Sequence, residues 1–162
     1  MLGSLNNFLT ALQLEKKSLS LQNKSSKKLN PFLKETISSF EGNALLKKIH
    51  IYYKSNVLDA VAIEYDFYNL TKIINNLISN AIKYSPSNSS IYVSVTLEEN
   101  QINISIKDEG IGIEKEEQKE VFSRFYQSKN NKTTGGFGIG LSLVNQLVKK
   151  LEGTIRLESN LV

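Results

Sequence analysis

The stretch NLISNAIKY, residues 76–84, is the most informative part of the chain, because it sets polar side chains along one edge of an otherwise apolar helix. Asn76, Asn80 and Lys83 share that edge, one helical turn apart, and Asn69 extends it toward the amino terminus. Amide oxygens suit a hard cation and lysine suits phosphate, so the edge is a candidate ligand site, with a solvated helix face as the alternative. The apolar positions that predict the buried stripe are Leu70, Ile73, Ile74, Leu77, Ile78, Ala81 and Ile82.

A β-hairpin is predicted after this helix. Apolar and polar residues alternate from Ile91 to Leu97 and again from Ile102 to Ile106, with a polar turn at 98–101. Continuing the alternation by two places Asp108 on the same inward face, where a carboxylate needs a hydrogen-bonding partner. A strand that simply ends at a polar turn is the alternative, and the residues alone leave both open.

The remaining segments predict further helices and strands. Asn30-Pro31 is typical of a helix start, and this helix is expected to run to about Lys48. Low-complexity residues 23–28 before it predict a joint in the chain. The other expected elements are strands near Ile49–Lys54 and Ala60–Tyr65, a short helix at Glu117–Tyr126, a last helix opening at 135–140 and stopping near Gly153, and a final strand at Thr154–Ser159.

Length and composition indicate one soluble domain. The 162 residues suffice for a real core, and the absence of cysteine excludes disulfides and thiolate chemistry. The net charge of +4 is small, and the lysine pairs are dispersed along the chain, which disfavours a nucleic-acid partner. Apolar runs are too short to span a bilayer, so no membrane contact is expected from this chain.

Two glycine-rich turns indicate phosphate binding, DEGIGI at 108–113 and GGFGIG at 135–140. A Walker P-loop is excluded because its glycine-lysine pattern does not occur. A dinucleotide-binding fold is disfavoured because Leu143 stands where a third glycine is needed. The order of motifs is the specific signal: the asparagine-rich helix, the first glycine turn, the aromatic segment FSRFY at 122–126 and the second glycine turn lie within about ninety residues.

In this order the motifs resemble the ATP-binding catalytic domain of sensor histidine kinases, within the superfamily that includes gyrase, Hsp90 and MutL. The resemblance runs from about Asn30 to the end. It implies an α/β two-layer sandwich, the Bergerat ATP-binding fold, with a mixed, mostly antiparallel sheet covered by helices on one face. It also implies that residues 1–28 are the end of a dimerisation helix and its linker. Residues 29–162 would then be the ATP-binding domain, without its last strand and with an exposed sheet edge.

The resemblance implies a role for each matching residue. Asn80 is expected to bind Mg²⁺ through its side-chain oxygen, with Asn76 near the same ion, and Asp108 to accept a hydrogen bond from the adenine amino group. Asn76, Lys83 and Arg124 are the expected catalytic set. A lid from about residue 114 to 135, which includes Lys129 and Lys132, is expected to close over ATP. The residues expected to contact ATP are Asn76, Asn80, Lys83, Tyr84, Asp108, Gly110, Gly112, Ile113, Phe125, Gly136, Gly138, Ile139, Gly140 and Leu141.

An amide at position 76 favours phosphoryl transfer over hydrolysis. In hydrolysing relatives a glutamate at the matching position activates water, and an amide cannot accept that proton. The resemblance implies that the γ-phosphoryl group passes to a histidine on a dimerisation domain and then to the receiver domain of a response regulator, in the cytoplasm. His50, the single histidine, lies between isoleucines in a predicted strand and is interpreted as a structural or surface residue. The chain alone is therefore not expected to autophosphorylate.

Two other functions fit the same sequence. The chain could be an ATP-sensing module without catalysis, whose lid a partner protein reads. It could also be a structural or dimerisation fragment, in which case Asp108→Asn would leave every measured property unchanged.

Overall fold

The computed structural model describes residues 24–99, 101–127 and 138–160. Within those ranges the chain forms five strands and four helices. The strands are β1 (Ser25–Lys28), β2 (His50–Ser55), β3 (Ala62–Tyr65), β4 (Ser90–Glu98) and β5 (Gln101–Lys107). The helices are α1 (Leu29–Ser38), α2 (Glu41–Leu46), α3 (Phe67–Tyr84) and α4 (Gly140–Lys150). None of these helices is long and apolar enough to cross a membrane.

The strands form a three-stranded sheet of order β2-β4-β5 and a two-stranded sheet of β1 with β3. β2 runs parallel to β4, whereas β4–β5 and β1–β3 are antiparallel. The hairpin pairs Glu98 with Gln101, and Glu99 in the two-residue turn adopts a φ of 47°. The expected α/β architecture and the mixed, mostly antiparallel pairing are confirmed, although the pairing is divided between two sheets.

One buried cluster joins helices α1 and α3 to a single face of the three-stranded sheet. Leu33 of α1, Ile78 of α3 and Val93 of β4 are all nearly inaccessible and belong to this cluster. The opposite face is exposed and carries the stacked rings of Tyr52 and Tyr92, with centroids 5.3 Å apart. The helices thus cover one face, as expected.

A second, smaller cluster attaches α4 to α3. Ile73 of α3 packs with Val144 and Leu147 of α4, and half-buried Leu77 joins them. The predicted apolar stripe of α3 is therefore divided: most of it faces the main core, and its edge receives α4. This contact is what brings the start of α4 to the polar edge of α3.

The single helix predicted from Asn30 to Lys48 is two helices. The hydroxyls of Ser38 and Ser39 donate to the carbonyls of Glu35 and Thr36, at 2.8 and 2.6 Å, and the helix ends there. Serine hydroxyls that bond nearby carbonyls compete with continued helix. Asn30 is not the cap either, because α1 begins one residue earlier.

Two further predictions of secondary structure are wrong, and one strand was not predicted. Strand β1 lies in the low-complexity segment at 23–28, and its four residues are all exposed and polar, so they give no apolar alternation. Residues 117–126 form successive turns and no regular helix, with Val121 bonded to the Glu117 carbonyl and Ser123 to that of Glu120. Residues 154–159 have no regular secondary structure, so the expected final strand is absent from this described segment.

Candidate functional site

Helix α3 carries the polar edge, and its start is fixed by a buried cap. The Asp66 carboxylate accepts the backbone N–H of Asn69 at 3.0 Å and the Asn69 side-chain Nδ2 at 2.8 Å. Both side chains are almost fully buried. Asn69 therefore belongs to the cap and does not extend the accessible edge, which corrects its expected place beside Asn76.

The two remaining asparagines meet the start of α4. A Cβ built on Gly140 would lie 2.9 Å from Asn76 Oδ1 and 4.0 Å from Asn80 Nδ2. Asn76 Nδ2 donates to the Lys72 carbonyl one turn earlier, at 2.8 Å, so Oδ1 is the atom that faces Gly140. The structure thus brings together three predicted site residues from two helices. Asn80 and Gly140 are 60 positions apart in the printed sequence.

The first turn of α4 offers backbone donors at the same place. Ile139 is the cap residue and makes no side-chain capping bond, while the Ser142 hydroxyl donates to the Ile139 carbonyl at 2.8 Å. The first N–H groups of a helix have no intrahelical acceptor and carry the positive end of its dipole. Half-buried Gly140 and Leu141 lie in this turn. An anion held there would lie beside the amides of α3.

A carboxylate and a glycine form the opposite end of the site. Asp108 Oδ1 accepts the Gly110 N–H at 2.8 Å, and a Cβ on Gly110 would lie 3.1 Å from the carbonyl oxygen of Tyr84 at the end of α3. Strand β5 ends at Lys107 and Asp108 is exposed, so the strand stops at a polar turn and Asp108 is not on the inward face. The carboxylate is accessible as a result.

The rest of this turn is held by two residues that no sequence motif marks, Gln118 and Ser159. Gly112 adopts a φ of 77°, which glycine tolerates, and the Ile113 N–H donates to the Ser159 hydroxyl at 2.9 Å. Gln118 Nε2 donates to the carbonyls of Ile113 and Ser159 at 2.9 and 2.8 Å. The two contacts with Ser159 join positions more than forty residues apart, and no local pattern marks them.

Lys83 and Arg124 are the charged side chains of the expected catalytic set. The Lys83 ammonium lies 4.9 Å from the centroid of the Tyr84 ring, over its face. Arg124 is exposed. Gly136 and the lid lysines Lys129 and Lys132 lie outside the described residues.

The segment at 124–126 is tied to the residues before α4. The Phe125 N–H donates to the Gly138 carbonyl at 2.9 Å, and both residues hold positive φ angles, of 63° and 65°. A Cβ on Gly138 would lie 2.4 Å from the Tyr126 carbonyl oxygen, so only glycine fits. Desolvation, with a hydrogen bond to buried Glu117, raises the pKa of Tyr126 to about 12. The phenol is a protonated donor at neutral pH.

Helices packed on one face of a mixed sheet, with paired amides beside a helix start, define an α/β domain with a site suited to an anion and a hard cation. The chain belongs to the family of histidine kinase-, DNA gyrase B- and HSP90-like ATPases, which matches residues 66–161. ATP is the ligand of this class, and the resemblance seen in the sequence is confirmed.

Sensor histidine kinase WalK of Bacillus subtilis is 36% identical over 133 residues, which are 79% of this chain and 21% of that protein. This chain therefore spans about a fifth of that relative. The solved catalytic domain of histidine kinase ThkA covers 80% of this chain and 82% of its own, with a TM-score of 0.70 at 22% identity. ThkA in complex with the response regulator protein TrrA covers 97% of this chain and 46% of its own, with a TM-score of 0.74 at 17% identity. The two structures show a shared fold.

Proposed function

We propose that this chain is the catalytic domain of a sensor histidine kinase. It binds ATP with Mg²⁺ and donates the γ-phosphoryl group to a histidine on a dimerisation domain, from which the group passes to a response regulator. The family match and the identity to WalK support the kinase class. The complex of ThkA with its response regulator supports the second partner. The linker at 1–28 and a cytoplasmic position remain predictions.

The observation that carries the proposal is the contact between Asn76, Asn80 and Gly140. Two amides one helical turn apart flank a single point beside the first N–H groups of α4. Phosphate oxygens accept from such N–H groups, and amide oxygens coordinate hard cations. The same point therefore suits the phosphate chain of a nucleotide and a metal ion bound to it.

The residues present fit Mg²⁺ that is held jointly by protein and phosphate oxygens. They do not fit a metal ion that is held by protein side chains alone. No group of three or more histidine, cysteine, aspartate or glutamate side chains in the described part of the chain could hold a metal. Mg²⁺ usually keeps several waters and binds through one or two protein oxygens plus substrate phosphates. Asn80, with Asn76 beside it, would supply those protein oxygens. When bound, the ion would neutralise charge on the phosphates.

The chain's own residues position the nucleotide from both ends. At the nucleoside end, Asp108 accepts from the adenine amino group while Gly110 allows the backbone to approach. At the phosphate end, the N–H groups of Gly140 and Leu141 bind oxygens. Lys83 and Arg124 supply positive charge. In-line phosphoryl transfer depends mainly on such positioning and charge neutralisation.

Asn76 directs the reaction toward transfer. Its Nδ2 already donates to the Lys72 carbonyl, and its Oδ1 cannot act as a base at neutral pH. Water near the γ-phosphate therefore gains no proton acceptor from this side chain. A nucleophile that needs less help, the imidazole of an acceptor histidine, is favoured over water.

Calorimetric titration with a nonhydrolysable ATP analogue, with and without Mg²⁺, tests the binding step. Asn80→Ala should abolish most of the gain in affinity that Mg²⁺ gives. Asn103→Ala, at an exposed position of β5, should bind as the wild type does. A folded wild-type chain that binds no analogue refutes the proposal.

The transfer step needs a dimerisation domain that carries its histidine. Mixing the two with labelled ATP should give Mg²⁺-dependent, acid-labile phosphate on the dimerisation domain. Asn103→Ala should preserve this transfer. Tight ATP binding with no transfer to several such domains would favour the sensing function instead.

A further inference from the structure

The side chain of Lys47, the residue that follows α2, holds the carboxyl-terminal end of α3. Its ammonium donates to the carbonyl oxygens of Ile82, Lys83 and Ser85, at 2.7, 3.1 and 2.9 Å. The last carbonyls of a helix have no intrahelical donor, and a cation there also meets the negative end of the helix dipole. One half-buried side chain therefore binds two of the last carbonyls of the site helix and one just beyond it.

The backbone around Lys47 is fixed as well. The Lys48 N–H donates to the Leu45 carbonyl and the Ile49 N–H to that of Ala44, both at 2.9 Å. Lys48 holds a φ of 56°, so these two bonds form a helix-ending Schellman motif. The Lys47 carbonyl in turn accepts the Asn88 N–H at 3.3 Å. The end of α2 and the loop after α3 are thus one hydrogen-bonded unit.

Tyr84 lies in the chain between the carbonyls that Lys47 binds. The Tyr84 carbonyl oxygen backs Gly110, where a Cβ would lie only 3.1 Å from it. Gly110 in turn donates to Asp108 at 2.8 Å. A shift of the last turn of α3 would therefore move the surface on which the turn at 108–110 rests.

We propose that Lys47 is a positioning residue for the nucleoside end of the ATP site. It touches no part of the proposed nucleotide position, and it acts by holding Tyr84 against Gly110. The role rests on the proposed function, since it concerns the same site. It adds a residue outside the four sequence motifs, 29 positions before Asn76 in the printed sequence.

The test compares Lys47→Met with Lys47→Arg, which can still donate to carbonyls, and with Lys48→Met, which removes the neighbouring exposed charge. ADP affinity is measured by calorimetry at a temperature where thermal denaturation shows each variant folded. Lys47→Met should bind ADP roughly tenfold more weakly, Lys47→Arg should recover most of the loss, and Lys48→Met should match the wild type. Because Lys47 acts at the nucleoside end, the loss of ADP affinity in Lys47→Met should be the same with and without Mg²⁺.

A second readout needs no nucleotide. The Gly110 amide resonance should move in Lys47→Met and stay in place in Lys48→Met, because only the former releases the Tyr84 backbone. A folded Lys47→Met with wild-type ADP affinity, or with an unmoved Gly110 resonance, overturns the role of Lys47 and leaves the nucleotide site standing. A wild-type chain that binds no ADP refutes the site itself, and the role of Lys47 with it.

Discussion

Replacing Gly140 with alanine should weaken nucleotide binding and leave the fold intact. The new Cβ would lie 2.9 Å from Asn76 Oδ1, where ordinary contact begins near 3.4 Å. The methyl carbon is therefore about half an ångström too close. The amide cannot retreat freely, because its Nδ2 donates to the Lys72 carbonyl at 2.8 Å.

The magnitude follows from what the methyl group displaces. Covering an N–H that binds the ligand costs about 1 kcal/mol, which corresponds to roughly fivefold weaker binding. Disturbing the bond from Asn76 to Lys72 costs about as much again, but this cost is present in the free protein too and lowers its stability, not its affinity. Gly140 does not hold a positive φ, so alanine is tolerated there, and its better helix propensity of up to about 1 kcal/mol offsets the close contact in the free protein.

Calorimetric titration with ADP and Mg²⁺, paired with thermal denaturation, measures both effects. Gly42→Ala is the matched control, because Gly42 also lies in a helix and a Cβ there would meet nothing within 4 Å. The control should be slightly more stable and bind as the wild type does. Wild-type affinity in Gly140→Ala would refute the reasoning, and an equal loss in Gly42→Ala would show that the effect is not local.

Three further substitutions test a helix end, a helix cap and a surface ion pair. Glu152→Gly should raise the free energy of unfolding by about 1 kcal/mol in thermal denaturation, because Glu152 holds a φ of 58° just after α4, which glycine adopts without strain. Asp66→Ala should lower it by about 2 kcal/mol in urea denaturation, since both bonds to Asn69 are buried, and a loss under about 0.5 kcal/mol would contradict the capping role. The hydrogen bond from the Lys34 ammonium is the main cause that lowers the pKa of Asp59, so Lys34→Met should return that pKa toward its ordinary value in an NMR titration. The stability that this pair gives is present above the ordinary carboxyl pKa and is lost as the pH falls through the lowered one, so the variant should lose that acid dependence.

Periodic burial made α3 and the hairpin predictable. The apolar stripe of α3 and the alternation of β4 and β5 each repeat over many residues, so their period identifies the element. The observed bounds, Phe67–Tyr84, Ser90–Glu98 and Gln101–Lys107, follow those patterns closely. The resemblance implies that Asn76 and Gly140 serve the same site, but their contact could not be predicted, because no local pattern shows that two helices meet.

Elements that depend on single hydrogen bonds or on distant partners could not be predicted. Strand β1 is polar and exposed throughout, and only its pairing with β3 makes it a strand. The break between α1 and α2 depends on which carbonyl each serine hydroxyl binds. Lys47 reaches Ile82, 35 residues away, and its sequence context is an ordinary lysine pair. A solvated surface is the normal interpretation of such a pair.

The packing of Asn76 itself argues for transfer over hydrolysis. Its Nδ2 donates to the Lys72 carbonyl at 2.8 Å, which leaves Oδ1 beside Gly140. A carboxylate has no donor, so in the same rotamer it could not make this bond. Asn76 therefore presents only an oxygen that does not take a proton at neutral pH. Under the proposed function slow hydrolysis is the expected consequence, because water near the γ-phosphate gains no proton acceptor from this side chain.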